Sequence, residues 1–564
     1  MRHMRVTPRV REFVLIVLGF AVLTVIMTAP LSYRAASVGP INTGDGQMSI
    51  WNVSWVARAL VLDPLHVLDA NIFHPHSGTL AYSETNLLAG VIGIPAWWIS
   101  RNPYLTYNVT VCLSFFFSAL ATFALVRRLT GSREAAVVAA ICFAFAPFVL
   151  VRYAHIQLMM TAVLPVTLLA FHWFIDRQTP GAAIALALAL AAAALACGYF
   201  GFMAGLAVGL GFIYYAVARG TWRNWRYWAL GAGAVVTSAL MVLPVFSAYL
   251  PLLGSQAPFR TVEESRQYSA TVPAYLSSTT HLHRAVLDAV VGFDSERIPE
   301  RILFPGFVAG SLALAAFAVA RRKVSNTAPP SSQTRFTSSE REAVGFYALL
   351  AAFAAWASFG PAGGLYTLAY RFVPAWTMMR APARFGTLVT LSLAVLAGLG
   401  LAAFLRGRTR PAMTAVAVAL VAVAELAAFP LDARQALPVP PAYPMLSRLP
   451  AGAVAEFPFF YLPTDFHRHC LYMLYTTVHW HPIVNGYSDY TPEDFKAIDI
   501  STFPSRTAFG LLRQRGARYV VFHLRFYDRR SREKLMDAIY RYRDYLRPLT
   551  QADDVWLYEI AAWP

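Results

Sequence analysis

Long apolar stretches separated by short polar turns dominate the chain. Eleven of them lie at roughly 13–33, 104–126, 134–151, 157–175, 181–197, 201–218, 227–247, 304–320, 343–359, 385–404 and 411–430. Each predicts a helix long enough to cross a hydrocarbon core of roughly 30 Å. The apolar piece Leu87–Ser100 is shorter and contains Pro95, Trp97 and Trp98, which predicts an interfacial or re-entrant helix. Counting it as a full crossing would invert every later loop.

Loop charge tests this count. The segment before the first span carries Arg2, Arg5, Arg9 and Arg11, which should hold it in the cytoplasm. The even-numbered turns then face the same side. They read Arg127-Arg128 with Arg133, Asp176-Arg177, Arg219 with Arg223 and Arg226, Arg321-Arg322-Lys323, and Arg406 with Arg408 and Arg410. All fit the positive-inside rule. The large polar pieces fall on the other face. The expected fold class is therefore an all-α polytopic membrane protein of about 11 transmembrane helices with a C-terminal extracytoplasmic α/β domain. The transmembrane domain covers 1–430, with external loops 34–103, 250–303 and 360–384, and the soluble domain covers 431–564. In that last region Gly452–Phe457 and Ala517–His523 read as strands and Arg530–Tyr545 as a helix. The longest cytoplasmic loop is Val324–Ser339. The expected location is the inner (cytoplasmic) membrane, multi-pass, with the N-terminus cytoplasmic.

Composition agrees with a membrane protein. The 564 residues are 57% hydrophobic and 14% charged, with a mean hydropathy of +0.48. The net charge of +17 is almost all arginine, since only Lys323, Lys496 and Lys534 are lysines. Because most arginines sit in short turns between spans, the excess reflects topology and no nucleic-acid partner is expected. Cys112, Cys142, Cys197 and Cys470 make neither a disulfide framework nor a CxxC metal motif. The first span is long and no small-x-small site follows it, so it is not read as a cleaved signal.

Candidate chemistry concentrates just beyond that first span, in Gly44-Asp45-Gly46 followed by Trp51 and Trp55. An acid there is placed to act as a general base at the interface; its alternative role is to cap a helix starting near Gln47. These residues, the proline-led segment Asn71-Ile-Phe-His-Pro75 and the turn Arg-Arg-Leu-Thr-Gly-Ser-Arg133 resemble the GT-C class of integral-membrane glycosyltransferases, and within it the bacterial YfhO-like branch. The resemblance covers about the first 250 residues. It implies inverting transfer of a sugar from a polyprenyl-phosphate carrier to a glycan, lipid or protein acceptor on the outer face, without a nucleotide sugar. It makes Asp45 the catalytic acid position, with Trp51 and Trp55 as candidate acceptor- and sugar-binding residues. The class often shows a second acid beside the first, and no Asp-Glu pair is present here. Glu84 is the preferred second acid, ahead of Asp63, Asp69 and Glu263-Glu264, and a solvated loop role is its alternative. No cofactor is demanded by these residues, and a divalent metal stays open.

Inverting transfer needs a base for the acceptor hydroxyl and cations for the departing phosphate, which arginine forks suit. Arg380 and Arg384, at the outer entrance of the tenth span with Pro382 between them, are the first donor-phosphate candidates; headgroup anchoring is the alternative. Arg152 and His155 form a short outer turn and are the second candidates, with Arg152 able to pair with Asp45 or with phosphate. Eight histidines fall in His-x-His pairs, at 74/76, 281/283, 467/469 and 479/481, without a third ligand at a fixed spacing. Glu425 lies within the last span and reads as a structural pair. Two other classes remain beside the transferase: a transporter or flippase for lipid-linked glycan, and a non-catalytic scaffold for cell-envelope assembly. Apolar mid-membrane helices without repeated halves argue against transport.

Overall fold

The computed structural model describes residues 8–253, 261–291, 298–321, 336–377 and 379–564. Arg2, Arg5, Arg322, Lys323 and most of the 324–339 loop lie outside the described residues. Each of the eleven expected apolar stretches falls on a helix or on two helices in succession. Six described helices are long and apolar enough to cross a membrane: Val10–Met27, Pro103–Thr130, Ile156–Arg177, Gly198–Ala218, Trp225–Leu252 and Pro382–Leu405. Leu87–Ser100, Pro180–Ala196, Phe307–Arg321 and Pro411–Leu426 are apolar but shorter.

Helix boundaries follow local chemistry. Thr179 accepts the Ala182 N–H ahead of Pro180, and Ser132 accepts that of Ala135 ahead of Arg133. Thr337 and Glu340 form a reciprocal capping box at the start of Ser338–Ser358. Arg406 pairs with the same Glu340 carboxylate, so a nearly buried acid is both capped and neutralised.

The chain divides into two compact units. The first comprises Met1–Tyr33, Val111–Ser247 and Pro258–Leu431. Its most enclosed helix is Gly386–Leu405, flanked by Phe307–Arg321 and Ser338–Ser358. Gly400 makes the first of these contacts possible: a Cβ there would stand 2.2 Å from the Leu312 carbonyl oxygen and 3.0 Å from the Ala316 nitrogen. Close backbone approach of this kind is how helices associate where no hydrophobic effect drives them together. The Glu425 carboxylate accepts the N–H groups of Phe307 and Val308 at 3.1 Å each, and lies 3.5 Å from His283 Nε2. It thereby satisfies orphan donors at the start of Phe307–Arg321, which is the structural pairing expected for this intramembrane acid.

The second unit comprises Arg34–Thr110, Ala248–Ala257 and Asp432–Pro564. Its sheet has four strands, β1 (Ala453–Phe457), β2 (Ala517–His523), β3 (Leu546–Ala552) and β4 (Val555–Ile560), in the order β1-β2-β4-β3. β1 runs parallel to β2, and the other pairs are antiparallel. Helices Arg506–Gln514 and Arg529–Arg541 follow β1 and β2 respectively. Residues of the first polar segment complete this fold. Phe73 and His74 donate backbone N–H bonds to Asn485 and Ile483, and Val38–Gly39 pairs with Arg434–Gln435. Trp51, Trp55, Ile72 and Phe73 share one core with Tyr443, Val454, Tyr472 and Val520. The expected first loop and the expected C-terminal domain are thus packed as one body.

Replacing Gly400 by valine should cost about 1–3 kcal/mol, because the atoms it meets are backbone and cannot turn aside. The check is the thermal midpoint of the purified protein, which should fall clearly; an unchanged midpoint would show that the two helices are not held at this distance.

Candidate functional site

In the second unit, Asp45 lies in the first turn of helix Gly44–Leu62, and its side chain is exposed. Thr43 is the N-cap, accepting the Gly46 N–H through its hydroxyl at 3.2 Å. The cap position is therefore filled one residue before the helix, and Asp45 is not needed for it. A helix N-terminus favours negative charge on such a side chain. Gly46 has a packing reason of its own: a Cβ there would lie 1.6 Å from the Pro40 carbonyl oxygen. The neighbourhood of Asp45 includes His467 and Cys470, which Gly44 approaches at 3.1 and 3.4 Å measured from a built Cβ. Burial pushes the Cys470 thiol well above its ordinary range, and the Asp45 charge adds to this. Cys470 is accordingly an inert thiol rather than a nucleophile.

Glu84 is half-buried in the same unit. Its backbone carbonyl accepts from Asn52 Nδ2 at 3.3 Å and from Asn86 Nδ2 at 3.1 Å. Asn52 is on the Asp45 helix, seven residues on, or about 10 Å of rise. The Glu84 turn is thus docked on the helix that carries Asp45, at a different level. Trp51 and Trp55 are 1% and 8% exposed, and their indole N–H groups donate to Asn71 Oδ1 and to the Val67 carbonyl. Both are core residues with satisfied polar atoms, and neither offers an open face to a sugar.

The arginine candidates belong to the first unit, where three segments outside its α-helices meet. Arg152 is 1% exposed; its Nη1 donates to Glu300 at 2.9 Å and its Nη2 to the Pro299 carbonyl at 3.0 Å. Arg384 Nη2 lies 3.5 Å from the same Glu300 oxygen, and its guanidinium stacks 4.3 Å over Tyr199. Arg380 pairs with Glu264 at 2.9 Å and donates to the Tyr268 hydroxyl at 3.3 Å. Pro382 opens a 3₁₀ turn through Phe385, and the helix Gly386–Leu405 continues from it. Burial lowers the Arg152 pKa to about 10 against the opposing pull of Glu300. For Glu300, burial works to raise the pKa, but Arg152 and Arg384 outweigh it and hold the carboxyl at about 2. Among the described residues, three guanidinium forks are thus gathered around Glu300 and Glu264, and such forks suit the oxygens of a phosphate.

Glu300 was not singled out from the sequence. It lies in a Pro-Glu-Arg turn 148 residues from Arg152, and no local spacing marks the pair. Glu264, one of the alternative second acids, is brought to Arg380. His155 is half-buried and donates its backbone N–H to the Arg152 carbonyl at 2.7 Å. Among the described residues, no group of three or more His, Cys, Asp or Glu is placed to hold a metal ion. Several paired histidines are used internally. His469 donates through Nε2 to the Phe460 carbonyl and accepts from Asn485 at Nδ1; burial lowers its pKa to about 4, so it is neutral at pH 7.

A Glu300→Gln substitution should destabilise the protein by about 3–5 kcal/mol at pH 7, because it strands a buried Arg152. The depressed Glu300 pKa stabilises the folded state above the ordinary value of 4.5, and that contribution is lost as the pH falls from there toward 2. Thermal midpoints of the wild type should therefore drop across that window, with a shallower drop in Glu300→Gln. Equal midpoints at pH 7 would show that Arg152 has another counter-charge.

Among solved structures the chain is similar to AftD, an arabinofuranosyltransferase from Mycobacteria. One AftD structure superposes with a TM-score of 0.53 at 15% identity, covering 98% of this chain and 40% of that one. A mutant form of AftD gives 0.56 at 14% identity, covering 98% and 41%. An Archaeoglobus fulgidus oligosaccharyltransferase gives 0.48 at 13% identity, covering 97% and 73%. The chain spans about two-fifths of the length of AftD. At these identities the likeness is one of fold, and the fold is that of the GT-C membrane proteins. No curated protein sequence matches the chain. A family model matches residues 64–426, more than half of the chain, and the protein belongs to that family, the domain of unknown function DUF6311.

Proposed function

We propose that this protein is an inverting glycosyltransferase that takes a sugar from a polyprenyl-phosphate carrier and passes it to an acceptor on the extracytoplasmic face, with Asp45 as the general base. The observation that carries this reading is the exposed Asp45 in the first turn of a helix soon after the first apolar span, in a chain with a GT-C fold. AftD, with that fold, is an arabinofuranosyltransferase. The reading includes eleven crossings, a cytoplasmic N-terminus and an inner-membrane location, supported by the arginine-rich turns.

The chemistry balances without a further reactant. An Asp45 oxygen takes the proton of the acceptor hydroxyl as that oxygen attacks the anomeric carbon from the face opposite the phosphate. The bond from C1 to the phosphate oxygen breaks, and its electron pair leaves with the polyprenyl phosphate. The proton on Asp45 then passes to water. The leaving group departs as an anion, so no general acid is required, but added negative charge must be met. Arg380, Arg384 and Arg152 serve that need in this reading, with Glu300 and Glu264 holding the forks in place between turnovers. Glu84 is the second catalytic acid in this reading. No step is routed through a metal.

Asp45→Asn should lower sugar transfer by about 10²–10⁴-fold. Because the side chain is exposed, its thermal midpoint should stay close to wild type. Transfer at the wild-type rate would overturn the assignment. Arg380→Ala should weaken donor binding by about tenfold, the loss of one charge-assisted contact. Wild-type donor affinity in that variant would confine Arg380 to its pairing with Glu264.

A further inference from the structure

The second unit contains a cavity of about 880 Å³ that the proposed reaction does not use. Two arginines line it, Arg58 on the Gly44–Leu62 helix and Arg101 directly after the Leu87–Ser100 helix. Neither makes an ion pair among the described residues, and no acidic residue lines the cavity. Each guanidinium instead lies on an indole: Arg58 is 4.9 Å from the Trp480 ring centroid and Arg101 is 3.8 Å from that of Trp98. Arg58 is half-buried, and its pKa is lowered first by burial and then by the nearby Arg101 charge. Two like charges are thus held near each other, with no acidic partner among the described residues.

Trp97 lines the same cavity, but its indole nitrogen is buried out of reach of a water-sized group, so the donors the cavity offers are the two guanidinium groups. The remaining polar liners are engaged within the chain. The Asn102 amide donates to the Ala36 carbonyl, Thr477 donates to the Leu474 carbonyl, and the Tyr104 hydroxyl accepts the Leu437 N–H. Two guanidinium groups with no acidic residue among the cavity's lining select an anion. Forked donors favour phosphate oxygens.

The rest of the wall is apolar, with Leu62, Val439 and Val478 among its residues. A bare phosphate would leave that surface wet and most of the volume unused, whereas cavities of roughly 300–1,000 Å³ suit drug-sized ligands. Stacking on Trp98 and Trp480 pre-orders both arginines, which reduces the entropy lost on binding. We infer that this cavity binds the phosphate head of an anionic lipid through Arg58 and Arg101, with the start of its acyl chains against the aliphatic wall. The site is built from residues of the second unit alone and does not depend on the transferase reading.

The test uses the full chain in phosphatidylcholine nanodiscs and measures equilibrium binding of short-chain dihexanoyl phosphatidate. Saturable binding is expected, and it should weaken about tenfold in Arg58→Gln and in Arg101→Asn. Arg101 is exposed with φ +54°, a conformation asparagine tolerates, so that variant should fold. The ligand should also raise the thermal midpoint of the wild type more than that of Arg101→Asn. Unchanged affinity in both variants would overturn the site. Equal competition by uncharged dihexanoylglycerol would overturn phosphate recognition. Equal affinity for inorganic phosphate would assign the cavity to a free anion and overturn the lipid.

Discussion

A charge withdrawn from water must keep a partner of opposite sign, and Arg152 imposes that condition on the loops of the first unit. Its guanidinium is buried, and Glu300 holds it at 2.9 Å. Because Arg384 approaches the same carboxylate, one acid ties together three segments: the turn after Leu150, the turn at Pro299–Arg301 and the entrance to the Gly386–Leu405 helix. None of Arg152, Glu300 and Arg384 belongs to an α-helix. A network of this sort is strongly destabilised when one member is removed, even where its net contribution is small. Glu425 shows the same logic at a helix end, where its carboxylate receives two backbone donors and stands beside His283.

The helices were legible in the sequence because a hydrocarbon environment forces the backbone to satisfy itself within each apolar run. The terminal α/β pattern was legible for a similar local reason: Gly452–Phe457 and Ala517–His523 carry strand-forming residues, and both contain strands. Long-range assembly was not legible. From the sequence Trp51 and Trp55 are candidate acceptor- and sugar-binding residues, yet they fill a core that also holds residues some 400 positions away in the chain. Indole rings serve both roles, and only tertiary contact separates them.

The candidate site was legible only in part. Asp45 could be picked out as an isolated acid after the first span, and the structure shows it exposed at a helix start. The purpose of Gly46 was not visible, because the Pro40 carbonyl that excludes a side chain acts through space. Arg152, Arg380 and Arg384 stood out by type and position, but their counter-charges did not. Glu300 carries no motif, and Glu264 was one acid among several candidates. In the second unit, Arg58 and Arg101 were invisible as a pair, because one belongs to a helix and the other follows a separate helix with a reversed backbone conformation. Electrostatic partners of this kind are fixed by folding, not by spacing.

In the proposed reaction the sugar comes from a lipid phosphate. The most direct measurement offers the purified wild-type protein a panel of polyprenyl-phosphate-linked sugars beside nucleotide sugars, together with a cell-envelope extract of glycan, lipid and protein acceptors, and follows the release of polyprenyl phosphate or nucleotide. Release of polyprenyl phosphate from at least one lipid-linked donor is expected, with no turnover of any nucleotide sugar. Turnover of a nucleotide sugar, or no release from any lipid-linked donor by folded protein, would contradict that reaction.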